Sequence, residues 1–373
     1  MKATKVFTVM RYFINCFMRR LTELPNIRKM FAIIHKSTLQ KPMKRKLYSL
    51  ALHGRDYQEL ISEILESDIA VIKKRTSSIN ISEPILICVI KNDLLRLELL
   101  LDYYRSLGVK AFAFLDDHST DGTREYLLRQ SDVTLYAASK QYTSTRRRAW
   151  INLIVNQEGI NRWYLIIDSD ELFDYRDRES KSICTLTNHL ERNKRKRVKA
   201  IMVDMFSPQN LYDDGIKTSN DIVRIMNRFD NHFYLRKSGI TNTYQVTADG
   251  GRSTVFNDRR VKRPPTFCLS KYPLMYFDRK DIMISSHEIF PLSRNKPDRP
   301  NTVLRHYKFI PGDEEKYEAR VREKNFYGNS KEYRLYKQNR KMGQEYQDCI
   351  RDFDVYKSYD SFDSIQILDD VWE

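Results

Sequence analysis

The sequence predicts an α/β protein: a mixed, mostly parallel sheet flanked by helices, preceded by a basic helical extension. Three observations carry that expectation. Apolar runs at 85–90, 111–115 and 163–167 have the length of strands buried on both faces. Between them lie stretches with leucines at helical spacing, and such alternation implies parallel strands joined by crossover helices. Charge is also segregated. Residues 1–50 hold twelve Lys or Arg against one acid, Glu23, a net +11 of the chain's +16.

Composition bounds the class. With 373 residues, 41% hydrophobic and 31% charged, the chain is long and apolar enough to fold around a core. Its five cysteines, Cys16, Cys88, Cys184, Cys268 and Cys349, form no CxxC pair. Neither a zinc site nor a disulfide framework is supported, and a reducing cytoplasm is the expected compartment.

The extension covers 1–80. Residues 5–18 are rich in large apolar groups but are broken by Arg11 and Asn15, too short to span a bilayer. They suit a basic amphipathic helix at the inner face of an anionic membrane, or a helix packed on the main domain. Pro25 and Pro42 divide the region, 57–74 reads as one more helix, and 76–84 as the linker.

The main domain is expected over 84–330. Strand 85–90 ends in Lys91-Asn92-Asp93, and the helix over 94–107 stops at Gly108. Strand 111–115 ends in Asp116-Asp117, followed by a helix over 124–130, a strand over 133–136 and a helix over 143–156. Strand 163–167 then runs into Asp168, Asp170 and Glu171. Open α/β sheets bind ligands at the carboxyl ends of their strands, so these acids are placed at a binding crevice. Downstream, 198–206, 222–228, 244–246 and 282–284 read as strands, Asp249-Gly250-Gly251 as a tight turn, and a charged helix starts at Asp313. The stretch 331–373 reads as a polar, tyrosine-rich tail.

Two aspartates one residue apart can offer oxygens to a hard divalent cation that also holds a diphosphate. Standing alone, the same acids also suit an ordinary loop cap. Residues 92–123 tip the balance. Asn92, Leu97, Tyr103, Gly108, Val109, Asp116, Ser119, Asp121, Gly122 and Thr123 keep, without a gap, the register of bacterial family-2-like glycosyltransferases with a GT-A fold. Asp168-Ser169-Asp170-Glu171-Leu172-Phe173 resembles that family's DxD element. Gly250-Gly251-Arg252-Ser253 resembles its Gly-x-x-Ser element, and His306-Tyr307 its closing His-Tyr pair. The resemblance spans about 85–330. Asp93, Leu99, Leu100 and Tyr104 depart from the family pattern.

The resemblance implies a Mg²⁺- or Mn²⁺-dependent transfer, inverting at the sugar carbon. The donor would be a nucleotide-diphosphate sugar, UDP-sugars by default, and the acceptor a glycan or lipid-linked glycan of capsule or lipopolysaccharide type. Asn92, Asp116, Asp117 and Asp168 are the expected nucleotide contacts; Asp168, Asp170 and His306 are the expected metal ligands. Ser119–Thr123 are expected to cap the following helix. A base must take the acceptor proton, and Glu288 and Asp249 are the candidates. Glu288 is preferred because it follows an expected strand. The run Arg146–Arg148 reads mainly as a solvated face.

Two other classes are weighed. A sugar-phosphate nucleotidyltransferase of similar fold wants a Gly-rich phosphate loop after the first strand, and residues 91–96 contain no glycine. A nucleic-acid-binding module wants basic residues spread among aromatics across the fold, whereas most of the excess charge lies in 1–50. No nucleic-acid partner is therefore expected.

Overall fold

A computed structural model describes residues 29–37, 39, 43–44, 46–47, 57–67, 69–237, 244–248, 252–256, 268–285, 288–291, 299–324, 327–338 and 340–373. The expected surface helix at 5–18, the turn at 249–251 and Asp249 lie outside the described residues.

The first half alternates as expected. Its elements are α1 (Gln58–Glu66), β1 (Ile69–Lys73), β2 (Ile85–Ile90), α2 (Leu94–Ser106), β3 (Ala111–Asp116), α3 (Thr123–Leu128), β4 (Val133–Ala138), α4 (Ser144–Glu158), β5 (Arg162–Ile167) and β6 (Glu171–Asp174). There follow α5 (Ile183–Arg192), β7 (Ala200–Asp204), α6 (Ser219–Ile225), β8 (Arg228–Phe229), β9 (Phe233–Lys237), β10 (Tyr244–Ala248), α7 (Arg252–Phe256), β11 (Ser270–Lys271) and β12 (Leu274–Phe277). The last elements are β13 (Ile282–Met283), β14 (Ile289–Phe290), β15 (Thr302–His306), α8 (Asp313–Glu323), α9 (Tyr327–Gln338), α10 (Gly343–Ile350) and β16 (Asp354–Val355).

Six strands form the main sheet in the order β1-β4-β3-β2-β5-β12. β4, β3, β2 and β5 are parallel, and β1 and β12 close the two edges antiparallel. β3 and β5 are buried throughout because helices cover both faces, which is why they read as unbroken apolar runs. A second sheet runs β11-β7-β15-β6, with β15 parallel to β7 and antiparallel to β6. The chain leaves the first sheet at Ile167 and enters the second at Glu171. Asp168, Ser169 and Asp170 are the joint between the sheets.

Two local expectations are corrected. The stretch 57–74 is not one helix: α1 ends at Glu66, Ser67 is extended, and Ile69–Lys73 pairs with β4. Val71 and Ile72 are β-branched, favour extended backbone, and find an open sheet edge. The stretch 222–228 is mostly helix. The Thr218–Asp221 capping box starts α6, and local capping outweighs the β-branched content.

The tyrosine-rich stretch 331–373 has an apolar face as well as polar groups. Tyr333, Tyr336, Tyr346, Phe353, Tyr359 and Phe362 are buried in the same cluster as the second sheet. β16 pairs with β8.

Candidate active site

A cleft of about 1500 Å³ opens over the carboxyl ends of β2 and β5, with α8 and α9 contributing a wall. Asn92, Asp117, Asp168, Asp170, Glu171 and His306 all line it, so most of the residues singled out in sequence meet in one place.

Buried ionic contacts pin the joint between the sheets. Asp93 accepts from the Ser169 hydroxyl, and its other oxygen takes Arg96 at 2.8 Å and Lys316 at 2.9 Å. Arg96 is buried and reaches onward to the Asp313 carboxylate and, at 2.7 Å, to the Tyr307 carbonyl. The Tyr307 N–H in turn donates to the Asp170 carbonyl at 2.7 Å. α2, the acidic joint, the end of β15 and the start of α8 are thus held by one guanidinium fork.

Asp168 and Asp170 sit in different surroundings. The two oxygens of Asp168 are taken by Arg147 and Lys271, each at 2.5 Å. Lys271 also bonds Glu171, whose other oxygen accepts the Asp168 N–H at 3.0 Å. Burial raises the Asp168 carboxyl, but Arg147 and Lys271 outweigh it and hold it well below the usual range. Asp170 instead faces His306, with Nε2 3.2 Å from Oδ2. Burial again opposes ionisation, and His306, then Lys308 and Arg96, overcome it.

His306 is oriented from behind. Its Nδ1 lies 2.7 Å from Asp204, which also takes Arg252 through a two-pronged contact of 2.5 and 2.7 Å. Sharing that acceptor brings Arg252 Nη2 within 3.0 Å of the ring nitrogen. Arg252 continues to Glu332 on α9 at 2.7 Å. Burial lowers the His306 pKa, but Asp170 and Asp204 on either side raise it above its ordinary value. Each ring nitrogen thus faces a carboxylate.

Asp170, Glu171 and His306 each bring one ligand atom within 4.8 Å of the others. Two carboxylates and an imidazole fit Mg²⁺ or Mn²⁺, and a carboxylate behind the far ring nitrogen is how ligating histidines are aimed. Asp168 lies outside this group, and two protein cations hold it.

The nucleotide side divides similarly. Asp117 is buried, and its Oδ2 has no hydrogen-bond partner among the described residues, with Lys91 Nζ 3.8 Å away. Asp116 faces elsewhere: it is fully buried, pairs with Arg124 at 2.5 Å and accepts the Ser119 N–H. The Asn92 side chain accepts from the Thr120 N–H at 2.7 Å, and Asp121 and Thr123 accept N–H groups of Leu94 and Asp93. Ser119–Thr123 lace the two strand ends together but mainly satisfy the start of α2. The expected cap on the following helix is not made at its N-cap, Gly122, which has no side-chain hydrogen bond.

Glu288 immediately precedes β14, and its carbonyl accepts the Ser285 N–H at 3.1 Å. Ser285 lines the cleft; the Glu288 side chain is not among the described lining residues. The arginine run is not a solvated face. Arg146 bonds Glu63 and Arg147 bonds Asp168, while Arg148 reaches the Ile284 carbonyl at 2.8 Å. Sequence reasoning missed Asp204, Lys271 and Lys308, all contributed by the second sheet or its edges. A lone Asp or Lys at the end of a short strand gives no local signal.

The clustered acids set the acid stability. Burial raises the Glu332 carboxyl, while Lys308 and Arg252 bring it down from 4.5 to about 2. A depressed folded-state pKa gives stability that is complete above the unfolded value and lost as pH falls through the folded one. Unfolding free energy is therefore expected to hold near neutrality and to fall between about pH 4.5 and 2. Denaturant titrations at several pH values measure it, and Glu332→Gln should flatten part of that fall.

No family model matches the chain, and no curated protein matches it. Among solved structures, a match is a Bacillus anthracis protein described as a glucose-1-phosphate thymidylyltransferase, crystallised with sucrose. Identity is 10%, coverage is 53% of this chain and 72% of that one, and the TM-score is 0.28. A likeness of that size carries no argument about activity.

Proposed function

We propose that the chain is a nucleotide-sugar-dependent glycosyltransferase. The observation that carries the reading is the acidic joint at the carboxyl end of β5, with Asp170 facing an aimed His306 on the cleft floor. Asp170, His306 and Glu171 are the residues that would hold Mg²⁺ or Mn²⁺. Such a cation acts as a Lewis acid toward the charge that develops on a leaving diphosphate.

The chain's own residues do the rest. Asp117 offers its unpartnered oxygen to a ribose hydroxyl or a base N–H. Arg147 and Lys271 keep Asp168 ionised and place two cations beside the diphosphate region. Asp204 and Arg252 fix the His306 ring. Asn92 and Asp116 shape the nucleotide loop from behind. The acceptor, a surface glycan or its lipid-linked precursor, enters beside the α8–α9 wall. Glu288, or Asp249, takes its hydroxyl proton.

The binding half of this reading is tested by thermal unfolding with nucleoside diphosphates, with and without Mn²⁺. UDP and Mn²⁺ together should raise the midpoint beyond the two single shifts, since each binds the native state. A UDP shift indifferent to Mn²⁺ would remove the metal from the account.

A further inference from the structure

We infer that the β12 edge of the main sheet, at the end of the strands opposite the cleft, carries a docking surface for an anionic phospholipid membrane. Three separated segments meet there. Ile34, Met43 and Leu47 of the N-terminal segment are buried in the same core cluster as Met275, Phe277 and Ile282 of β12 and β13. The basic run after α5 lies along the outer side of β12: the Tyr276 N–H donates to the Lys196 carbonyl at 2.8 Å, and Arg197 bridges to Met275. The turn 278–281 lies between these two. Asp278 pairs with Lys196 at 3.3 Å, and Asp278 and Asp281 both act on Lys46 of the N-terminal segment.

The charge balance is one-sided. Arg192, Lys194, Arg195, Lys196, Arg279 and Lys280 are all exposed. The acids among them are already engaged. Glu191 accepts from the Trp163 indole at 2.7 Å, Asp281 accepts the Asp278 N–H, and Asp278 serves Lys196 and the Lys280 N–H. Lys29 and Lys36 add exposed cations on the helical residues 29–36. The same segment leaves Ile33 46% exposed, next to a shallow apolar hollow lined by Phe31 and Ala32.

Cations arranged around exposed aliphatic groups match a lipid headgroup surface, where charge attracts and apolar side chains enter the acyl boundary. Nucleic acid is the lesser fit, since the exposed apolar groups between Lys29 and Lys36, Ala32 and Ile33, are aliphatic and the Phe31 ring is packed against the core. Phe277 pairs with Arg162, so the turn after it lies at the amino end of β5, while the cleft lies at the carboxyl end. A docked membrane leaves the cleft open.

The test is co-sedimentation of the full chain with phosphatidylcholine vesicles, with and without phosphatidylglycerol, beside binding to a single-stranded DNA oligonucleotide. The parent should partition only to the anionic vesicles. Lys194→Glu, Arg195→Glu, Arg279→Glu and Lys280→Glu combined should lower that partitioning at least about tenfold, since each surface cation contributes severalfold. These side chains are exposed, so the unfolding midpoint should not move. The pair Lys194→Gln and Arg195→Gln should give a smaller loss in the same direction. Unchanged partitioning of either variant overturns the inference. So does equal binding of the parent to neutral vesicles, or binding to DNA without binding to vesicles. The readout uses protein and lipid alone, so it stands or falls separately from the transferase reading.

Discussion

Asp170→Asn is expected to lower Mn²⁺-dependent turnover on the order of a thousandfold while leaving the fold intact. A cation at developing leaving-group charge is worth several kcal/mol, and each 1.4 kcal/mol is about tenfold in rate. The same change should erase the extra stabilisation that UDP and Mn²⁺ produce together. Asp170 is partly open to the cleft, and among the described residues its carboxylate meets only the His306 ring at hydrogen-bond distance, which Asp204 holds from the other side, so its loss leaves little unpaired. Asp168→Asn should behave differently. It leaves Arg147 and Lys271 without a shared anion, so stability should fall as well as turnover. Equal behaviour of the two variants would contradict the division of labour drawn between them.

Arg96→Ala carries the largest expected effect on folding. It leaves Asp93 and Asp313 facing each other without their main counter-charge and frees the Tyr307 carbonyl. Breaking a buried pair costs about 3–5 kcal/mol, and Lys316, at 2.9 and 3.2 Å from the two acids, places this one toward the lower end. Arg96→Lys should recover only part of it, because an ammonium cannot serve two carboxylates and a carbonyl in one plane. Urea denaturation measures both. A loss under about 1 kcal/mol for Arg96→Ala would mean that the fork is not what holds the joint.

Sequence reasoning reached the features with local signatures. Buried parallel strands announce themselves as short apolar runs, and their carboxyl ends announce themselves as the acids that follow. Asp117, Asp168 and Asp170 were visible for that reason. Asp116 was visible too, but its neighbour eight residues on, Arg124, turns it away from the cleft. What stayed hidden depends on pairings between distant segments. β15 lies between β6 and β7, and only that insertion brings Asp204 behind His306 and Lys271 beside Asp168. No spacing rule links residues about a hundred positions apart. Arg96 was hidden differently: it lies on α2 among leucines, and only the fold reveals four partners around it. The stretch after 331 misled because many of its buried groups are tyrosines, whose polarity reads as solvent exposure while their rings pack a core.

The most direct test of the central claim is the identity of the nucleotide product. Purified chain is supplied with UDP-sugars and Mn²⁺, and separately with nucleoside triphosphates and sugar 1-phosphates. The account predicts release of nucleoside diphosphate from a nucleotide sugar, dependent on Mn²⁺ or Mg²⁺ and lost in Asp170→Asn. Release of pyrophosphate from a triphosphate, with nucleotide sugars left intact, would contradict it.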